Sequence, residues 1–192
     1  MLENLLLYRL IIVNLLGLLL VGYAQFNGWN EAIIAGDHTG IVWIVIAFFV
    51  VFQVSLWIRA GKVSRGLNAL KRGEVPDIDA AKVAEKGAHL EDMIGWMLLI
   101  GLVGNVLGIM LSIDNANLGG GDTAAAIEGL LGSMDVAFGA TIVSGVLSVW
   151  AGINYRILKT ATVCWLADYK TARNDKFTAE WRSKAAARPE PV

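Results

Sequence analysis

IVWIVIAFFVVFQVSLWI (residues 41–58) runs without a break into RAGKVSRGLNALKRGEVPDIDAAKVAEK (residues 59–86). The first stretch carries no ionisable residue; the second carries seven Lys and Arg. A helix needs ~20 apolar residues to cross ~30 Å of hydrocarbon, so the first stretch reads as a membrane span. The second stretch then fixes one end of that span at a water boundary. Working outward, three further apolar runs of similar length occupy residues 5–23, 93–113 and 136–153. Charge is sorted around these runs. Fifteen of the sixteen Lys and Arg lie in 59–86 and 156–188, and the connecting segments 24–40 and 114–132 hold none. Indifference to membrane side would put about five basic residues in those two segments. The positive-inside rule therefore places the 59–92 loop and the 154–192 tail in the cytoplasm, with both termini cytoplasmic.

A composition of 56% hydrophobic and 17% charged residues, with mean hydropathy +0.57, is too apolar for a soluble domain of 192 residues. The expected fold is all-α, a single polytopic membrane domain over 1–192 with four transmembrane helices and a helical cytoplasmic extension. The net charge of -1 averages two signs separated by the membrane, and no nucleic-acid footprint is visible. Cys164 is the single cysteine, so it has no partner within the chain and reads as a packing thiol in a reducing compartment. The opening Met1-Leu2-Glu3-Asn4 lacks a basic n-region, so the first apolar run is expected to be retained as a helix.

The spans differ in character. The first two are bulky and aliphatic, suited to face lipid, with Arg9 snorkelling to the headgroups and Asn14 and Gln53 available to hydrogen-bond a neighbouring helix. In the third, Gly101, Gly104, Asn105, Gly108 and Ser112 recur every three or four residues, which places small and polar groups on one helix face. In the fourth, Thr141, Ser144, Gly145, Ser148 and Gly152 do the same. Such faces are walls of a tight helix contact or of a narrow, partly polar passage. Neither span holds an ionisable group at membrane depth; Asp135 and the pair Glu91 and Asp92 lie at their ends. A chain that moves protons or cations would need a carboxylate at that depth, so it would have to come from another chain.

Between the spans, Ala80 to Glu91 reads as a charged, solvated helix leading into the third span, and Gly119-Gly120-Gly121 as a flexible outer loop. Helical character returns at Ala124 to Leu131, with Asp122 or Thr123 as N-cap. Beyond Ile153, the spacing of Ile157, Ala161, Cys164, Trp165 and Ala172 continues a helix through charged residues toward an unstructured end at Pro189 and Pro191. His38 and His89 fall on opposite membrane sides and read as surface residues.

Ile100-Gly101-Leu102-Val103-Gly104-Asn105-Val106-Leu107-Gly108-Ile109-Met110 resembles the G-L-x-G-T-x-x-G-I-M segment of the MotA/TolQ/ExbB proton channel family. Met134 to Thr141, M-D-V-A-F-G-A-T, is similar to the M-x-V-A-L-x-A-T start of that family's last membrane helix, and Asn154-Tyr155 to its closing pair in reversed order. The likeness covers about a third of the chain. It implies a pore-forming subunit of a bacterial inner-membrane motor complex, a homopentamer around a dimeric single-span partner of the MotB/TolR/ExbD type. That partner carries the intramembrane Asp. The implied ion-path or partner-facing residues are Asn105, Thr141, Ser144 and Ser148, and the helix-packing residues are Gly101, Gly104, Gly108, Gly145 and Gly152. The transported ion would be H⁺ or Na⁺, with no cofactor or metal. Asn105 stands where the family has Thr, and the inner loop is far shorter than the torque-generating domain of flagellar stators.

The competing reading is a non-conducting membrane scaffold that uses the small-residue faces only to assemble. An enzyme is disfavoured, since no HExxH, nucleophile elbow or convergent His/Asp/Glu set occurs.

Overall fold

The computed structural model describes residues 5–37, 39–74, 76, 80–115 and 123–186. Six helices occupy them: α1 (Leu5–Phe26), α2 (Trp29–Gly36), α3 (Ile41–Lys71), α4 (Ala80–Glu85), α5 (His89–Asn115) and α6 (Thr123–Ala186). No strand occurs among the described residues, and α1, α3, α5 and α6 are each long and apolar enough to cross a membrane. The chain is an all-α polytopic membrane protein with a helical extension. His38, Gly119-Gly120-Gly121, Asp122, the side chain of Asp135, Pro189 and Pro191 lie outside the described residues.

Helix α6 is the mast on which the other five elements pack. Its 64 residues contain no proline, so nothing interrupts the hydrogen-bond ladder between Thr123 and Ala186. At ~1.5 Å per residue it is roughly 96 Å long. The segment 124–131 and the span at 136–153 are therefore one helix, and the expected outer-loop helix is its first turns. The part beyond Ile153 extends roughly 50 Å past the apolar run.

Local chemistry sets the other boundaries. Gly28 (φ 73°) and Gly40 (φ 69°) take the left-handed conformation that precedes α2 and α3. Asp37 then serves α3 from a distance: its Oδ2 accepts the Val42 N–H at 2.9 Å and its Oδ1 accepts the Thr39 hydroxyl at 2.7 Å. A carboxylate at this N-terminus also meets the positive end of the helix dipole. At the far end of α3, Gly73 (φ 77°) closes a Schellman motif, with Glu74 N–H donating to Ala69 O and Gly73 N–H to Leu70 O. The charged helix expected over 80–91 is divided at Gly87, where backbone bonds shift to tighter turns, so α4 is short and α5 starts at His89. Helix α2 falls in the segment 24–40, read from the sequence as a connection.

Glycines receive the large side chains of α6. The indole of Trp150 lies against Gly17 of α1 and is tilted on Phe49 of α3, with ring centroids 4.9 Å apart. Trp165 lies in the same way against Gly66 of α3. Both indoles would collide with any Cβ at those glycines. Helix α3 is not a plain lipid-facing span. One face, with Val45, Phe49, Phe52, Leu56, Ala60 and Val63, supplies much of the core, and the opposite face, with Trp43, Val50 and Val54, is exposed. Helix α1 is the more peripheral, burying only Leu6 and Leu10. Cys164 is exposed on α6 and does not pack in the chain.

Helices α5 and α6 approach through small residues. Gly101 is pressed against Ser144, and a Cβ on Gly104 would lie 2.8 Å from Ile41 Cγ2 and 3.0 Å from Ala140 Cβ. Gly145 has nothing within 4 Å of the same position. Overpacking a filled site costs typically 1–3 kcal/mol. We expect Gly101→Val to lower the thermal midpoint of the detergent-solubilised protein by several degrees, while Gly145→Val leaves it within one degree. Fluorescence-detected size exclusion after heating reads both; equal loss in the two variants would contradict the packing described.

Candidate functional site

The two small-residue faces read from the sequence meet each other within one chain. Gly101, Gly104 and Gly108 are all buried on α5, and Ala140, Ser144 and Ser148 form the facing surface of α6. Ser144 donates to the Thr141 carbonyl on its own helix at 3.0 Å, and Ser148 reaches the Ile94 carbonyl across the interface at 3.5 Å. With exposures of 1% and 3%, neither serine can touch a partner chain without opening the α5–α6 contact. Their expected place on an outward, partner-facing wall is therefore not where the single chain puts them. Gly145 and Gly152 differ in the opposite sense, since nothing lies within 4 Å of a Cβ at either. They make no close helix contact inside the chain and leave a shallow open face on α6.

Thr141 and Asn105 occupy the edge of the same interface. Both are half-buried. Thr141 Oγ1 donates to the Gly101 carbonyl at 3.4 Å, the carbonyl one helical turn before Asn105. Asn105 Oδ1 is buried without a hydrogen-bond partner among the described residues. An unpaired amide oxygen in hydrocarbon costs several kcal/mol, so this position calls for a donor. The arrangement offers a hydroxyl and an amide oxygen at membrane depth, in two helices whose apolar runs contain no ionisable residue. A water, a protonated carboxyl or a small cation fits such an acceptor set.

A second polar cluster lies where α1, α3 and α6 meet. Gln53 Nε2 donates to Asn14 Oδ1 at 2.9 Å, and Asn14 Nδ2 donates to Asn154 Oδ1 at 3.2 Å and to the Leu10 carbonyl at 2.8 Å. Asn154 is fully buried. The sequence indicated that Asn14 and Gln53 could bond to a neighbouring helix but gave no sign that each would find the other and Asn154. Gln53 Oε1 and the Nε1 of Trp150 remain buried without partners among the described residues.

Beyond the apolar runs, on the end rich in Lys and Arg, Glu91 Oε2 accepts from Lys159 Nζ at 2.9 Å and from the Tyr155 hydroxyl at 3.0 Å. The Lys159 bond first, and then that of Tyr155, hold the Glu91 carboxyl below the ordinary carboxylate range; Glu91 raises Lys159 in return. Because the carboxyl is lowered, whatever the contact contributes is present at neutral pH and is lost as pH falls through the folded value. Both ends are largely exposed, so its energy is small. Among the described residues, no group of three His, Cys, Asp or Glu is placed to hold a metal ion.

Comparison with protein-family models, with curated proteins and with solved structures finds no match.

The amide cluster yields a prediction. In-membrane hydrogen bonds average ~0.6 kcal/mol in double-mutant cycles, with a maximum near ~1.7. A cycle of Asn14→Leu and Asn154→Leu should show a coupling in the upper part of that range, because each removal orphans a buried amide. Additive losses in a steric-trap or SDS-unfolding measurement would mean that the two side chains do not pair in the bilayer.

Proposed function

We propose that this chain is the ion-path subunit of a bacterial inner-membrane complex that converts a proton or sodium gradient into mechanical work. Five copies would surround a dimeric single-span partner that brings an intramembrane aspartate. The observation that carries this reading is the Thr141–Asn105 edge. A half-buried hydroxyl and an unpartnered amide oxygen lie at membrane depth, in helices whose apolar runs hold no carboxylate. An aspartate delivered by a partner would supply the missing titratable group beside the half-buried Thr141. The likeness of 100–110 and 134–141 to the MotA/TolQ/ExbB pattern supports the same scheme. In it both termini and the basic loop are cytoplasmic, and the long end of α6 extends into the cytoplasm.

One observation favours the scaffold alternative: Ser144, Ser148, Gly101 and Gly104 are already satisfied inside the chain, so much of the polar stripe is accounted for by packing alone. Ion flux separates the two readings. The native complex, isolated with its partner and reconstituted in vesicles loaded with a pH- or sodium-sensitive dye, should pass ions at least tenfold faster than this chain alone. Thr141→Val keeps the volume and removes the hydroxyl; in the assembled complex it should cut flux at least tenfold, while Thr141→Ser retains most of it. Undiminished flux in Thr141→Val would return Thr141 to packing, and no flux in the wild-type complex would leave the scaffold.

Topology has its own test. Cys164 is exposed on the extension of α6. A membrane-impermeant maleimide should label it in inverted inner-membrane vesicles and spare it in intact spheroplasts; the reverse pattern would overturn the proposed orientation.

A further inference from the structure

On the Lys- and Arg-rich end of the bundle, a groove of about 160 Å³ opens between α3 and the α4–α5 turn, lined by Ser55, Ile58, Arg59, Lys62, Val83 and Lys86. Three of these six residues are cations and none is acidic. Lys62 and Lys86 are exposed, and among the described residues no carboxylate lies within ion-pair distance of Arg59, Lys62 or Lys86. Arg59 is instead held by the ring of His89, with its Nη2 3.2 Å from Nε2, a contact that points the guanidinium and brings it no negative charge. Three cations around one small hollow, with no carboxylate paired to them among the described residues, repel each other, and an anion in that hollow relieves the repulsion.

The surroundings say which anion. Ile58 lies one turn before Lys62 on α3, and Ile44, Val51 and Ile58 follow at intervals of seven residues, two helical turns, so they form one strip on one face. All three are exposed. The strip runs roughly 21 Å along the helix, enough to span one ~15 Å leaflet of the hydrocarbon core. It ends at the cationic hollow. A free phosphate would use the hollow alone, whereas a diacyl phosphate would use both parts, with its headgroup at the cations and its chains along the strip. Basic hollows between membrane helices at the water boundary are suited to anionic headgroups, and each basic residue near an anionic surface contributes ~1 kcal/mol.

We propose that the Arg59–Lys62–Lys86 groove is a binding site for the phosphate of an anionic phospholipid whose acyl chains lie on the Ile44–Val51–Ile58 strip. The site is independent of the ion-path reading, since it shares no residue with the Thr141–Asn105 edge. A bound lipid here would tie α3 to the α4–α5 turn, and so fix the entry of α5 at the membrane surface.

Native mass spectrometry of the detergent-purified wild-type protein, titrated with dioctanoyl phosphatidylglycerol, dioctanoyl phosphatidylcholine or inorganic phosphate, tests this. The expected result is a saturable phosphatidylglycerol adduct of one per subunit, at least tenfold tighter than phosphatidylcholine, with no comparable retention of inorganic phosphate. The double variant K62Q/K86Q changes only exposed side chains and should weaken phosphatidylglycerol at least tenfold, while K176Q, a surface cation elsewhere on α6, should stay within twofold. Equal affinity of wild type and K62Q/K86Q would overturn the site. Equal retention of phosphatidylcholine would overturn the requirement for net negative charge. Inorganic phosphate held as tightly as phosphatidylglycerol would overturn the lipid assignment in favour of a soluble anion.

Discussion

Close approach of α5 to α6 through Gly101 and Ser144 is the contact on which the rest of the structure depends. In hydrocarbon, burying one apolar helix against another gains little, because lipid chains are as apolar as leucine. Association must come from backbones brought close enough for dense packing and for hydrogen bonds between helices. Gly101 and Gly104 allow that approach, and the hydroxyls of Thr141 and Ser148 then reach α5 carbonyls across it. The same device recurs with the sizes reversed where Trp150 meets Gly17 and Trp165 meets Gly66. Helix α6 is thus locked to α5 by small residues and to α1 and α3 by two indoles.

Much of this architecture was legible in the chain itself. Four apolar runs and the confinement of fifteen of the sixteen Lys and Arg to two segments sufficed for the spans and for the two chemically distinct ends, because bilayer thickness and charge burial act residue by residue. What the sequence did not disclose depends on three-dimensional neighbours. Gly17 and Gly66 are far from Trp150 and Trp165 along the chain, and nothing local marks them as partners. The small residues of the third and fourth spans were visible as stripes, yet only the crossing of α5 and α6 determines that Ser144 faces Gly101 inside the chain while Gly145, its neighbour, faces out. Residues 132–135, between the expected helix at 124–131 and the span at 136–153, are helical as well, since a lone glycine such as Gly132 costs only ~1 kcal/mol in a helix.

Packing and polarity are divided between neighbouring positions of the same stripe. Ser144 and Ser148 use their hydroxyls within the chain, and Thr141 and Asn105, at the rim, retain partial exposure and one unpartnered oxygen. On the proposed reading, that division lets a well-packed subunit border a polar path: the buried residues hold α5 and α6 at a fixed separation, and the half-buried Thr141 and Asn105 lie at the rim. The proposed passage would need no widening of the subunit, only a partner helix laid against the seam.

Cysteine accessibility tests this division most directly. In a Cys164→Ser background, Thr141→Cys and Ser144→Cys are each assembled into the native complex in vesicles and exposed to a small, water-soluble methanethiosulfonate, which reacts with thiols that water reaches. The account predicts modification of Thr141→Cys at least tenfold faster than of Ser144→Cys, because the first lies on the rim and the second inside the helix contact. Equal rates, or no reaction at Thr141→Cys, would contradict it and leave the α5–α6 seam as a dry packing surface.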